Sequence, residues 1–306
     1  MNIIVLVLLG ILALPLFLDV YRVVAFNIIP HDDYAFYLLY LLGEEGGVKP
    51  INPSGYRLLP VAVAIPFYHI LPHFSFRFLE GVGDTYLQAM EALSLVTYLA
   101  VVTASFLIYL LTLNRFRGSV TCALLAALIS TLTFRYTAIY GIDPFSIMWI
   151  CLLIYSLHDR MWFTLLLGLS IGINEKIVFL FFMLFTGRYL VSRYRQSYHT
   201  AVAIMAFAGY FLLRAIIGLP GNEYMVDPGT YANSFLRTLR FFFNMRSLVL
   251  NLLPIMMTVC LYFLAYREHK LQENDTLLFT PVDILPLCGL LIICLIMDLA
   301  YTTGRI

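Results

Sequence analysis

Acids, a lysine and a few arginines stand at isolated places in a chain whose neighbouring residues are almost all apolar. His31-Asp32-Asp33 follows the first apolar run directly. A carboxylate there can bind a divalent metal such as Mg or Mn, or take a proton as a general base. Consecutive side chains point in different directions, so Asp32 and Asp33 are expected to differ in role. The same residues also suit a solvated loop start, with one acid capping a helix over residues 34–42. Asp143 precedes Pro144, with Gly141, Tyr136 and Arg135 upstream. Asp before Pro is a helix-start signal. It is also the second acid that a metal or acid–base site would need beside Asp32 and Asp33.

Asn174-Glu175-Lys176 interrupts what is otherwise a single apolar stretch over residues 161–185. Ionisable groups at membrane depth are costly unless paired or hydrated, so Glu175 and Lys176 are candidates for function. The structural alternative is a tight loop between two short helices with a mutual Glu–Lys pair. Tyr56-Arg57 opens another apolar run. An arginine there can hold a phosphate by paired hydrogen bonds, or snorkel to lipid headgroups. Arg214 lies inside an apolar segment, and Asp298 precedes Arg305 near the end of the sequence. Either arginine can meet an anionic phosphate, and each can equally serve structural pairing. His69 and His73 flank Pro72 without a placed third ligand, a weak metal pattern. Glu44-Glu45 and residues 222–228 read as solvated loops.

The segments that must position these residues are apolar. Of 306 residues, 61% are hydrophobic, 15% aromatic and only 12% charged. A soluble domain carries roughly 25% charged residues. The net charge of +1 gives no reason to expect a nucleic-acid partner. The five cysteines lie in apolar runs and read as packing residues, with no disulfide framework and no zinc spacing. Residues 3–18 lack the basic flank of a signal peptide, so an uncleaved first span reaching Phe26 is expected. Candidate spans are residues 3–25, 86–113, 119–134, 144–157, 161–173, 177–192, 199–218, 247–266 and 282–301. The expected fold class is therefore all-α, a polytopic transmembrane helical bundle of about 9–10 spans, forming one membrane domain over residues 1–306. No repeat or flexible linker is apparent.

Residues 58–74 decide the topology. The run is apolar but broken by Pro60, Pro66 and Pro72, each of which kinks a helix. If it does not span, the loops with Arg115/Arg117, Arg160, Arg188/Arg193/Arg195 and Arg267/Lys270 share one side. The positive-inside rule makes that side cytoplasmic. Asp32-Asp33, Tyr56-Arg57, residues 135–144, residues 174–176, residues 222–228 and residues 302–306 then share the outer face. Arg237, Arg240 and Arg246 fall in a long outer loop, where the rule is weak.

This layout resembles the GT-C fold polytopic glycosyltransferases that use polyprenyl-phosphate sugars. Asp32-Asp33 matches their acidic motif after the first span, and Asp143 their second acid. Tyr56-Arg57-Leu58-Leu59-Pro60 looks like the Tyr-Arg-x-Leu-x-Pro stretch of uncharacterised bacterial members. Asn174-Glu175-Lys176 stands where many members have Lys-Glu, with the order reversed. Gly304-Arg305 looks like the Gly-Arg before the final part of their membrane domain, and any further span or soluble domain would follow it. The resemblance implies surface helices in the first outer loop, residues 58–74 among them. It also implies an active site on the outer face of the plasma membrane.

The activity it implies moves a sugar from a polyprenyl-phosphate donor to a glycan, lipid or protein acceptor. Asp32 or Asp33 would be the general base or a metal ligand, and Asp143 would assist. Arg57, Lys176 and Arg305 would stabilise the departing phosphate, with Tyr56, Arg135 and Glu175 beside the substrates. Three other readings remain open from the sequence. They are a transporter or flippase of lipid-linked sugar, a polysaccharide ligase or polymerase, and an inactive scaffold.

Overall fold

The computed structural model describes residues 2–26, 37, 41, 58–71, 84–114, 118–139, 143–192 and 197–217. Every regular element among the described residues is helical. We number the α-helices α1 (Asn2–Phe26), α2 (Leu59–Ile70), α3 (Asp84–Asn114), α4 (Val120–Ile139), α5 (Asp143–Tyr155), α6 (Arg160–Leu169), α7 (Glu175–Ser192) and α8 (Ser197–Ile217). Short 3-10 turns at Ser156–His158 and Ser170–Gly172 extend α5 and α6. The long helices coincide with the apolar segments of the sequence to within a few residues. The segments 247–266 and 282–301 lie outside the described residues. Gln88–Asn114 and Tyr198–Ile216 are long and apolar enough to cross a membrane. Asn2–Pro15, Leu59–Ile70, Val120–Phe134, Pro144–His158 and Arg160–Gly172 are shorter apolar helical stretches.

The chain divides into two compact units. One is Met1–Phe182 with Gln196–Pro220, and the other is Met183–Arg195 with Gly221–Ile306. The first unit is organised around α3, which packs against α1, α2, α4 and α5. Small residues let the backbones approach. Ala13 meets Val101, Val102 and Ala104 of α3 and Phe134 of α4. Val5 and Leu9 meet Tyr109, Ala123 and Ala127. These pairings make α1 and α4 antiparallel to α3. Cys151 of α5 packs on Leu107 and Leu111, and Ile147 and Met148 lie nearer Ala104, so α5 runs parallel to α3. The ends of α1 and α4 and the starts of α3 and α5 therefore gather at one end of the unit.

Polar bonds between helices are few and local. The Tyr98 hydroxyl donates to the Gly10 carbonyl at 2.9 Å, and the Thr131 hydroxyl donates to Ser105 Oγ at 2.8 Å. Tyr98→Phe is expected to cost about 1 kcal/mol, read by thermal unfolding in detergent. A methyl group on Gly10 would lie 3.3 Å from that hydroxyl. Gly10→Ala should therefore cost less in the Tyr98→Phe background than alone.

α6 packs against α5 and α8. Asp159 starts α6 by accepting from the backbone N–H groups of Met161 and Trp162 at 3.0 and 3.1 Å, a standard helix cap. The Trp149 indole N–H donates to the Leu166 carbonyl at 2.9 Å and ties α5 to α6 as an antiparallel hairpin. α8 begins near the bend of that hairpin, where Tyr198 donates to the Arg160 carbonyl and His199 Nε2 lies 2.9 Å from the Leu157 carbonyl. Phe163 is fully buried against His199 and Phe181. α2 meets the unit at both ends. The Gln88 amide donates to the Tyr68 carbonyl at 2.5 Å, and Leu59 lies against Gly172. Its 12 residues rise about 18 Å, against about 30 Å of hydrocarbon in a bilayer. Tyr37 and Leu41, in the segment after Asp33, are helical and buried, consistent with one face of the helix expected over residues 34–42.

Candidate functional site

The start of α5 and the start of α7 meet. α5 opens with Asp143-Pro144-Phe145-Ser146, and the proline fits there because first-turn N–H groups have no helical acceptor. Phe145 is buried and stacks on Trp149 at 6.1 Å. Ser146, 7% exposed, points its hydroxyl toward α7.

A tight turn brings the chain from α6 into α7. The Ser170 carbonyl accepts from the Ile173 and Asn174 N–H groups at 3.0 and 3.1 Å. The Ser170 hydroxyl donates back to the Leu167 carbonyl at 2.6 Å. A methyl on Gly172 would sit 3.9 Å from Leu59 Cβ, and one on Gly209 of α8 would sit 3.6 Å from Ile171 Cδ1. The turn is thus held between α2 and α8. Leu59 follows Arg57 by two positions in the sequence, and Gly172 precedes Asn174 by two.

Asn174 joins the two helix starts. Its Oδ1 accepts from the Lys176 backbone N–H at 3.0 Å, and its Nδ2 donates to Ser146 Oγ at 3.1 Å. One amide thereby caps α7 and bonds to α5, using both an acceptor and a donor. Asn174 is 4% exposed and Glu175 is 6% exposed, while Lys176 is half-buried. The first N–H groups of both helices lack helical acceptors, and the helix dipoles put positive potential there. The Glu175 carboxylate in the first turn of α7 is stabilised by it. The arrangement can hold negative charge, whether a carboxylate of the chain or an anionic group brought to it.

The expected site residues divide as follows. Glu175 and Lys176 come together with the first turn of α5, whose first residue is Asp143. Arg135 lies in the last turns of α4, at the same end of the unit. The side chains of Asp143 and Arg135 lie outside the described residues, as do Asp32, Asp33, Tyr56, Arg57 and Arg305. Among the described residues, no three His, Cys, Asp or Glu side chains gather as a metal site. The expected metal ligands, Asp32 and Asp33, are not among them. Arg214 of α8 donates to the Tyr210 hydroxyl at 2.7 Å, with its guanidinium 5.2 Å from that ring.

Two polar features are not evident from the apolar pattern of the sequence. Ser146 is hidden within an apolar helix, 28 positions from its partner. Gln88, Glu91, Ser94 and Thr97 form a stripe at three-residue spacing on the first half of α3, half-buried or buried. That spacing puts each beside the next and winds the stripe half-way round α3, which is packed by α1, α2, α4 and α5. Comparison of the chain with protein-family models, with curated proteins and with solved structures finds no match.

Proposed function

We propose that this chain is a polytopic membrane glycosyltransferase of the GT-C type. It transfers a sugar from a polyprenyl-phosphate donor to a glycan, lipid or protein acceptor on the outer face of the plasma membrane. In this reading α1, α3, α4, α5, α6, α7 and α8 cross the bilayer, with the apolar segments 247–266 and 282–301. The large exposed residues are apolar along much of the helix surfaces: Ile3, Ile4 and Ile11 on α1, Leu125 and Leu132 on α4, Met161 on α6, and Met205, Leu212 and Ile216 on α8. Surfaces of that extent suit lipid better than water.

The observation that carries the reading is the Asn174–Ser146 bond. It joins the helix begun by Asp143 to the helix begun by Glu175-Lys176, at the end of the unit toward which α1 runs before Asp32-Asp33. In the proposed reaction the acceptor hydroxyl oxygen attacks the anomeric carbon. The bond from that carbon to the phosphate oxygen breaks, and the lipid phosphate leaves with the electron pair. The acceptor proton passes to Asp32 or Asp33, with Asp143 assisting. Arg57, Lys176 and Arg305 stabilise charge on the departing phosphate. Tyr56, Arg135 and Glu175 lie on the substrate side. A divalent ion such as Mg or Mn, when bound by Asp32 and Asp33, would supply further charge neutralisation to the phosphate.

The test uses the purified chain in vesicles with a panel of polyprenyl-phosphate hexoses and pentoses, reading release of polyprenyl phosphate. Acceptor-dependent release is the expected result. Movement of intact donor across the vesicle wall, with no release, would replace the enzyme by a transporter.

A further inference from the structure

We propose that the outer leaflet dips where α5, α6 and α7 meet, so that the headgroup layer lies at the level of the Asn174–Ser146 turn. The inference rests on the membrane-spanning part of the reading above and not on sugar transfer. It follows from helix lengths. From Arg160, α6 and the 3-10 turn supply ten and three residues, a rise of about 21 Å. Counting from His158 back to Ser146 along the other arm gives the same rise of about 21 Å. The two arms agree, as the bond between Asn174 and Ser146 requires. A flat hydrocarbon layer is about 30 Å thick, so this polar turn falls about 9 Å short of its far boundary. Tilting the hairpin shortens it further.

Two neighbours have no such deficit. The apolar stretches Gln88–Asn114 of α3 and Tyr198–Ile216 of α8 contain 27 and 19 residues, which rise about 40 and 28 Å. The other end of the hairpin carries the residues that mark a membrane boundary. Arg160 is exposed, with its guanidinium 5.2 Å from the Tyr198 ring, and Trp162 is half-exposed beside it. Along α6 the outward residues Met161, Trp162, Leu165 and Leu169 are apolar, and the exposed Thr164 hydroxyl is satisfied by the Arg160 carbonyl, so acyl chains suit the helix as far as its end. There Asn174, Glu175 and Lys176 begin. Sliding the hairpin outward would carry Arg160 into hydrocarbon, which is costly. Local thinning of the bilayer is a known response to such mismatch, at fractions of a kcal/mol per Å.

The chain has only two tryptophans, and this allows a direct test. Trp149 is buried, so emission accessible to lipid comes from Trp162. In dioleoylphosphatidylcholine vesicles containing brominated phosphatidylcholines, wild-type emission is expected to fall more with bromines near the headgroup than with bromines deep in the chain. The second probe is Leu169→Trp in a Trp162→Phe background, an exchange on the exposed face of α6. Leu169 lies about 14 Å along the helix from Arg160, which is mid-bilayer if the membrane is flat. A dipped leaflet leaves it about 7 Å from the nearer boundary, so shallow bromines should again quench more. Leu99→Trp in the same background, at an exposed position near the middle of the long apolar stretch Gln88–Asn114 of α3, should show the opposite order. Deep quenching at Leu169→Trp, equal to that at Leu99→Trp, would mean a flat bilayer and overturn the proposal. Deep quenching of the wild type would mean that the hairpin has slid, and would overturn it equally.

Discussion

Asparagine at the acid that takes the acceptor proton is expected to lower donor consumption by about 10²–10⁴-fold. Asp32→Asn and Asp33→Asn keep the size of the side chain and remove its charge, so binding pockets survive while the base is lost. Consecutive side chains point in different directions, so one of the two variants is expected to fall much further than the other. The smaller fall should appear in the residue that orients or neutralises. Asp143→Asn is expected to cost about 10–100-fold, the size seen when a group supporting a reacting residue is removed. Asp143 is the first residue of α5, where the helix dipole already favours an acidic residue. An effect confined to stability would therefore assign Asp143 to capping alone. The measurement is release of polyprenyl phosphate at saturating donor, compared with thermal unfolding of each variant. Unchanged release by all three would remove the transferase assignment.

The helices are legible in the sequence because apolar runs here end in abrupt polar residues. Asn114, Asp143, Asp159 and Asn174 each stand at or beside a helix end, and Asp159 and Asn174 cap helices through their own side chains. Residues 161–173 read as one span, yet they fold as a ten-residue α-helix followed by a 3-10 turn. Apolar content alone does not report where a helix tightens. The site is legible in part for the same reason. Asn174-Glu175-Lys176 stands out because charge is rare in that stretch, and Asp143-Pro144 because of its helix-start chemistry. Their meeting is not legible, since it depends on Ser146, an ordinary residue inside an apolar helix. Pairing between helices 28 positions apart is set by the hairpin geometry that Trp149 and Leu166 fix. The polar stripe on α3 is obscured for a related reason. A span counted by apolar content averages away a stripe that is polar at every third position.

Asn174→Ala is expected to destabilise the chain by about 2 kcal/mol, and the division of that loss tests whether the site exists. Removing an N-cap costs about 0.5–2 kcal/mol. A hydrogen bond between helices in a membrane adds about 0.6 kcal/mol on average and about 1.7 at most. The cap is therefore the larger share. Asn174→Ser should recover most of it, since a hydroxyl can accept from the Lys176 N–H but is too short to reach Ser146. Ser146→Ala alone should cost less than Asn174→Ala, because α7 keeps its cap. In the double variant the losses should not add, and the coupling should equal the single bond between Nδ2 and Oγ. Thermal unfolding in one detergent supplies all four values. Additive losses would mean that the bond does not hold the two helices together. The starts of α5 and α7 would then be free to part, and Asp143 and Lys176 would have no reason to act on the same substrate.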